Sequence, residues 1–66
     1  MKRWKTTEGR EIESAKIDAF LSEVIEVSKK HGLSIAHENA HGTFLVHTFS
    51  PYDADWLMGA VDETDR

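Results

Sequence analysis

Five consecutive residues in the second half of the chain match a metal-binding pattern. The segment His37-Glu38-Asn39-Ala40-His41 has the H-E-x-x-H form of zinc peptidases. That chemistry needs a helix, because only a 3.6-residue period places histidines four apart on one face with the glutamate as base. Ile35-Ala36 before the segment and Gly42-Thr43-Phe44 after it favour a hairpin turn. We therefore predict no metal site, and a zinc hydrolase remains the least favoured of three hypotheses.

The same segment offers a second chemistry, which is recognition of a small ligand by hydrogen bonds. Histidine and asparagine side chains can read the edge of a base or a sugar, an arginine can hold a phosphate, and a tryptophan can stack on a ring. Lys5 is a further candidate cation. The alternative is a loop that is polar only because it is exposed to water. The predicted ligand-binding residues are His37, Asn39, His41, Arg3, Trp4 and Arg10.

Other catalytic arrangements have no support in the sequence. There is no Ser-His-Asp set and no glycine-rich phosphate loop. Asp53 and Asp55 lie two apart in a predicted helix, so their side chains point away from each other. We predict that the protein is not an enzyme and needs no cofactor.

The site residues depend on elements that hold them, and the first is a long helix over residues 14–31. Ile17, Phe20, Leu21 and Val24 recur at helical spacing. Ser14 is a suitable N-cap, and Gly32 follows the last turn, where a left-handed residue usually ends a helix.

Residues 33–49 predict two strands joined by a turn. The second strand is apolar on both faces, because side chains alternate along a strand. One face can pack on the helices, and we expect a second copy or a partner to cover the other. We predict an interface formed by Leu45, His47 and Phe49. His47 is an interior or interface residue on this interpretation.

The two ends of the chain complete the predicted fold. Ser50-Pro51 is a strong helix start, so we predict a second helix over residues 51–62, with Tyr52 and Trp56 packed in the core. Residues 62–66 are expected to be a solvated tail. Residues 1–13 predict a short β-ribbon with a turn at Glu8-Gly9. The sequence thus predicts one α+β domain over residues 1–66, with a small antiparallel sheet.

Composition restricts the partners. A 66-residue chain buries only about 60% of its unfolded surface and, without cysteine, has no disulfides to compensate, so we expect a homodimer or larger homo-oligomer. The net charge of −4 disfavours duplex nucleic acid. We find no apolar run long enough for a membrane span and no signal segment, and we expect a cytoplasmic protein.

The charge is unevenly distributed. Residues 1–10 are basic, whereas residues 50–66 are acidic. This polarity can join subunits head to tail, or leave a local basic spot for one small anion.

Two blocks of the sequence resemble small proteins encoded by phages and prophages. They are Lys30 to Val46, followed by an acidic helix with a tryptophan, and Trp4 to Ile12. By analogy, the resemblance implies a binder that counters a bacterial defence, and it transfers no functional residues. Our first hypothesis is a homo-oligomer that sequesters a small nucleotide-type signal. The second is a direct inhibitor of a host defence protein, anti-CRISPR-like, in which acidic residues of the second helix and tail occupy a basic groove.

Overall fold

The long helix begins and ends at the residues that the sequence indicates. In the computed structural model, which describes residues 1–37 and 42–65, α1 spans Ala15–His31. Ser14 caps it by accepting a hydrogen bond from the backbone N–H of Ile17 at 3.3 Å. Gly32 ends it with φ of 68°, the left-handed conformation that glycine adopts without a Cβ penalty.

Two antiparallel strand pairs flank this helix in the chain. Strands β1 (Lys2–Lys5) and β2 (Arg10–Glu13) form the predicted ribbon, with Arg3 opposite Ile12. Strands β3 (Leu33–His37) and β4 (Phe44–Thr48) form the predicted hairpin, with His37 opposite Phe44. The predicted turn between them includes residues 38–41, which lie outside the described residues. The small antiparallel α+β fold is confirmed.

The second helix is shorter than predicted. Helix α2 spans Pro51–Met58 and not residues 51–62. The carbonyls of Met58 and Ala60 instead accept hydrogen bonds from the Arg3 guanidinium, each at 2.9 Å. Ser50 occupies the N-cap position without a side-chain cap bond. Its backbone N–H donates to the Ser34 hydroxyl at 2.8 Å, which ties the start of α2 to β3.

The last residues pack on the ribbon, so the expectation of a solvated tail is wrong for Asp62. The backbone N–H of Asp62 donates to the Trp4 carbonyl at 2.8 Å, and its carbonyl accepts from Thr6 at 3.2 Å. This parallel bridge adds a third extended segment beside β1. Asp62 is buried as a result.

The interior of the protomer is small. Among the described apolar side chains, Leu21 alone is buried. Phe20 and Val27, on the other side of α1, are more than half exposed. None of the helices in the described parts of the chain is long and apolar enough to cross a membrane.

Candidate functional site

Two of the three cations expected to hold a phosphate, Arg3 and Lys5, instead bind acidic side chains of the protomer. The Arg3 side chain is buried, and besides its two carbonyl acceptors it donates to the Asp18 carboxylate at 2.6 Å. Its predicted role in ligand binding stays a prediction, although within the protomer its charge is paired with Asp18 and its terminal nitrogens donate to protein groups. The sequence carries one signal of this internal position. Side chains alternate along β1, so Arg3 points to the opposite side of the strand from Lys2 and Trp4.

Lys5 is held in the same way. Its ammonium lies 3.6 Å from Asp62 and 3.4 Å from Asp65. Partial burial opposes the charged form of Lys5, but the two carboxylates outweigh it and raise its pKa. The pKa of Asp62 is lowered, first by hydrogen bonds from the backbone and hydroxyl of Thr64 and then by Lys5.

The basic and acidic ends of the sequence therefore pair with each other within one protomer. The basic start and acidic end of the chain meet in the ion pairs of Lys5, and Thr6 donates to Glu63 at 3.0 Å. Asp62, Glu63 and Asp65 therefore bond to residues of the ribbon. The head-to-tail pairing of subunits stays a prediction.

The remaining predicted ligand residues lie apart from this cluster or outside the described residues. Arg10 is exposed and pairs with Glu8, two residues away, at 2.7 Å. Trp4 is half exposed on β1. His37 ends β3, and its ring meets the edge of Phe44 with centroids 5.6 Å apart. Asn39 and His41 are not among the described residues, so their predicted contacts remain predictions.

His37 also bears on the zinc hypothesis. It is the last residue of a strand, so the H-E-x-x-H segment does not start within a helix. Among residues 1–37 and 42–65, no three histidine or acidic side chains converge as a metal site would require.

The interface predicted on β4 lies on the helix side of the hairpin. Ser34, the partner of His47 in the register, is buried. The His47 imidazole contacts the Asp53 carboxylate of α2 at 2.9 Å. Phe49 is half-buried, and its backbone N–H donates to the Gly32 carbonyl at 2.9 Å. Phe49 thus packs on the fold, whereas His47 and Leu45 remain 45% and 42% exposed on the same face.

The opposite side of this hairpin exposes more apolar side chains than the side that faces the helices. Cross-strand partners share a face, so the partners Ile35 and Val46 point away from the helices. We call this the outer hairpin face, and its apolar members are Leu33, Ile35, Phe44 and Val46. Their exposed fractions are 46%, 45%, 73% and 67%, respectively.

A second exposed surface lies on α2, which we call the aromatic-acidic surface and define as Tyr52, Asp55 and Trp56. The two rings, one helical turn apart, meet edge to face with centroids 6.0 Å apart. They are 68% and 69% exposed, so the expectation that they belong to the core is wrong. With Gly59 they line an open depression of about 330 Å³.

The chemistry of this surface is that of a docking site. Asp55 makes no ion pair with any described residue, so its charge is available. Aromatic rings beside an unpaired carboxylate suit a cationic group, which can meet the carboxylate and a ring face together. Comparison with known proteins adds no relative to this geometry: no protein-family model, curated protein or solved structure matches the chain.

Proposed function

We propose that this chain is a non-enzymatic binding protein that acts as a homo-oligomer and docks on a positively charged protein surface, as a direct inhibitor of a host defence protein would. The observation that carries the proposal is the exposed Tyr52–Trp56 pair beside Asp55. Tyrosine and tryptophan are the residues that most often dominate binding energy at protein interfaces. The resemblance to phage proteins suggests the role against host defence.

The dimensions of the protomer support the oligomer. A folded protein of 7.5 kDa is expected to expose about 4250 Å², and this chain exposes 5085 Å². The excess of about 800 Å² matches what one partner buries in a stable interface of standard size. The radius of gyration is 12.7 Å, against about 10.8 Å expected for a compact chain of this length.

A labelled arginine-rich peptide is the probe that tests the docking surface. We expect it to bind wild type in fluorescence anisotropy titrations, with affinity that falls as salt is raised. Trp56→Ala should weaken binding by about 10-fold or more, as loss of an interface anchor does. Asp55→Asn should weaken it several-fold.

Glu26→Gln is the matched control, because it removes one charge from an exposed position on α1. Its affinity should stay within about twofold of wild type, since a rim or remote charge contributes little. Equal losses in Asp55→Asn and Glu26→Gln would show attraction by net charge alone. Absence of any binding to the peptide would also contradict the proposal.

Sequestration of a small nucleotide-type ligand is the second candidate. The observation that favours it is the exposed ring of Phe44 against His37, because a base can stack on such a pair at the rim of the outer hairpin face. Of the three cations predicted to hold a phosphate, Arg10 is the exposed one. The internal pairing of Arg3 and Lys5 makes this candidate the weaker one.

Calorimetric titration with cyclic and adenosine-derived nucleotides tests this candidate. If it is correct, at least one nucleotide gives heat, and His37→Ala or Arg10→Ala reduces the affinity by about 10-fold. No heat from any member of the panel would contradict it. The peptide titration is independent of this result.

A further inference from the structure

The outer hairpin face is the most uniform apolar surface of the molecule. Leu33 and Ile35 present it from β3, and Phe44 and Val46 from β4. Neither strand contains an aspartate, glutamate, lysine or arginine. His37 and Thr48 are its polar members among the described residues, so the face is an apolar patch without formal charge on a protein that is otherwise rich in charge.

An antiparallel hairpin with one face in water usually carries polar residues on that face, whereas this hairpin has four exposed apolar side chains there. Helices cover its other side, where Ser34 is buried and His47 meets Asp53 of α2. The unburied area of the protomer, about 800 Å² above expectation for its mass, is of the size that one covering partner removes.

The net charge of the chain favours an uncharged face for contact between two copies. Two copies each carry −4, so contact through charged surfaces is opposed by repulsion. The outer hairpin face brings no formal charge into contact when it meets itself. A twofold interface is self-complementary by symmetry, and an uncharged apolar patch satisfies that requirement.

The other exposed apolar surfaces fit self-contact less well. Phe20 and Val27 on α1 share their side of the helix with Lys16, Glu23 and Lys30, because residues three and four apart lie together. The aromatic-acidic surface would place two Asp55 carboxylates in one interface. Both would leave charges to be desolvated.

We propose that the outer hairpin face is the interface between two copies of this chain, packed sheet face against sheet face about a twofold axis. Leu33, Ile35, Phe44 and Val46 of each copy supply its apolar side chains. This inference rests on the homo-oligomer of the proposed function and deepens it by assigning the surface. It also leaves the aromatic-acidic surface of α2 free for a target.

Cysteine cross-linking tests the assignment directly, because the natural chain has no cysteine. Val46→Cys places one thiol on the outer hairpin face, and Val27→Cys places one at a similarly exposed position on α1, 57% against 67%. Each variant is treated at low micromolar concentration with a short bifunctional maleimide. We expect a covalent dimer from Val46→Cys and little from Val27→Cys.

A charge variant gives a second measurement on the same face. Val46→Asp should raise the dimer dissociation constant by about 30-fold or more in sedimentation equilibrium, since it forces a charge into an apolar interface. Val27→Asp should leave the constant within about threefold of wild type. Circular dichroism confirms that both variants keep their fold.

The outcomes separate this inference from the proposed function. An oligomeric wild type with equal cross-linking at both positions, or no effect of Val46→Asp, would overturn the assigned face and leave the homo-oligomer standing. A wild type that is monomeric at all concentrations would overturn both the face and the homo-oligomer. Peptide binding sensitive to Trp56→Ala would still support the target surface in either case.

Discussion

At the scale of single residues, Arg3 is the side chain on which the fold depends most. Its buried guanidinium joins β1 to α1 through Asp18 and to the segment after α2 through two carbonyls. Its Nε is the one buried side-chain nitrogen of the described residues without a partner. Three acceptors from distant parts of the chain thus meet at one charge.

Replacing Arg3 should therefore unfold the protein at lower denaturant. Arg3→Met leaves Asp18 and two carbonyls without their donor, and we expect a loss of about 3 kcal/mol in the free energy of unfolding. Arg10→Met is the control, since its guanidinium pair is exposed and should contribute less than about 0.5 kcal/mol. Urea titrations of both variants check this prediction, and equal losses would contradict it.

Asp18 makes stability depend on acid. Hydrogen bonds from the N-terminal ammonium at 2.8 Å and from Arg3 at 2.6 Å lower its pKa from the ordinary 3.8. Because the folded pKa is depressed, the contribution is fully present above about pH 4 and is lost as pH falls through the folded pKa. We expect Asp18→Asn to be less stable at pH 7 and to lose less stability than wild type between pH 4 and pH 2.

Thermal unfolding at a series of pH values measures this dependence. Glu11→Gln, an exposed change on β2, should retain the acid dependence of wild type. Parallel curves for wild type and Asp18→Asn would assign the acid dependence to other carboxylates, such as Asp62 and Asp65, whose pKa values are also lowered.

At the scale of elements, Ser14 and Gly32 set the ends of α1. Ser50 and Gly59 occupy the same positions at α2 but differ in hydrogen bonding and backbone conformation. Gly32 has φ of 68°, whereas Gly59 after α2 has φ of −86°. A Cβ at Gly32 would meet no atom within 4 Å, so any cost of adding one comes from the backbone conformation. The two glycines form a matched pair.

We expect Gly32→Ala to lower the free energy of unfolding by about 1 to 2 kcal/mol, the cost of a left-handed non-glycine residue. Gly59→Ala should be neutral or stabilise by up to about 1 kcal/mol, because its φ suits alanine and the unfolded chain loses entropy. Urea titrations of the two variants check the pair. A loss at Gly59 equal to that at Gly32 would contradict the account.

The same comparison shows which elements could be predicted from sequence. The bounds of α1 follow from Ser14 and Gly32, which act locally. The end of α2 does not, because Arg3, more than fifty residues away, holds the carbonyls of Met58 and Ala60. Local pattern carries no information about that contact.

The hairpin shows a similar limit. Its strands are predicted by alternation and β-branched residues, but β4 is apolar on both faces, so the pattern does not say which face meets the helices. Buried Ser34 and the His47–Asp53 contact settle it, and they place the predicted interface on the covered side. Which of the two apolar faces stays exposed could not be read from the residue types alone.

At the scale of the whole molecule, the protomer exposes more surface than its mass leads one to expect, and Leu21 is the one buried apolar side chain among the described residues. An isolated protomer would keep Phe44 and Val46 in water, against the hydrophobic effect. Self-association through the outer hairpin face removes that cost and leaves α2 available for a target. As proposed, the outer hairpin face joins two copies and the aromatic-acidic surface docks on a target.

The most direct test of this central claim is the native mass spectrum of the wild-type chain at low micromolar concentration. The account predicts a dimer or larger species, at an integer multiple of 7.5 kDa. The Val46→Asp variant should shift to the single-chain mass in the same experiment, while Val27→Asp should not. A wild-type spectrum that contains only the 7.5 kDa species would contradict the account.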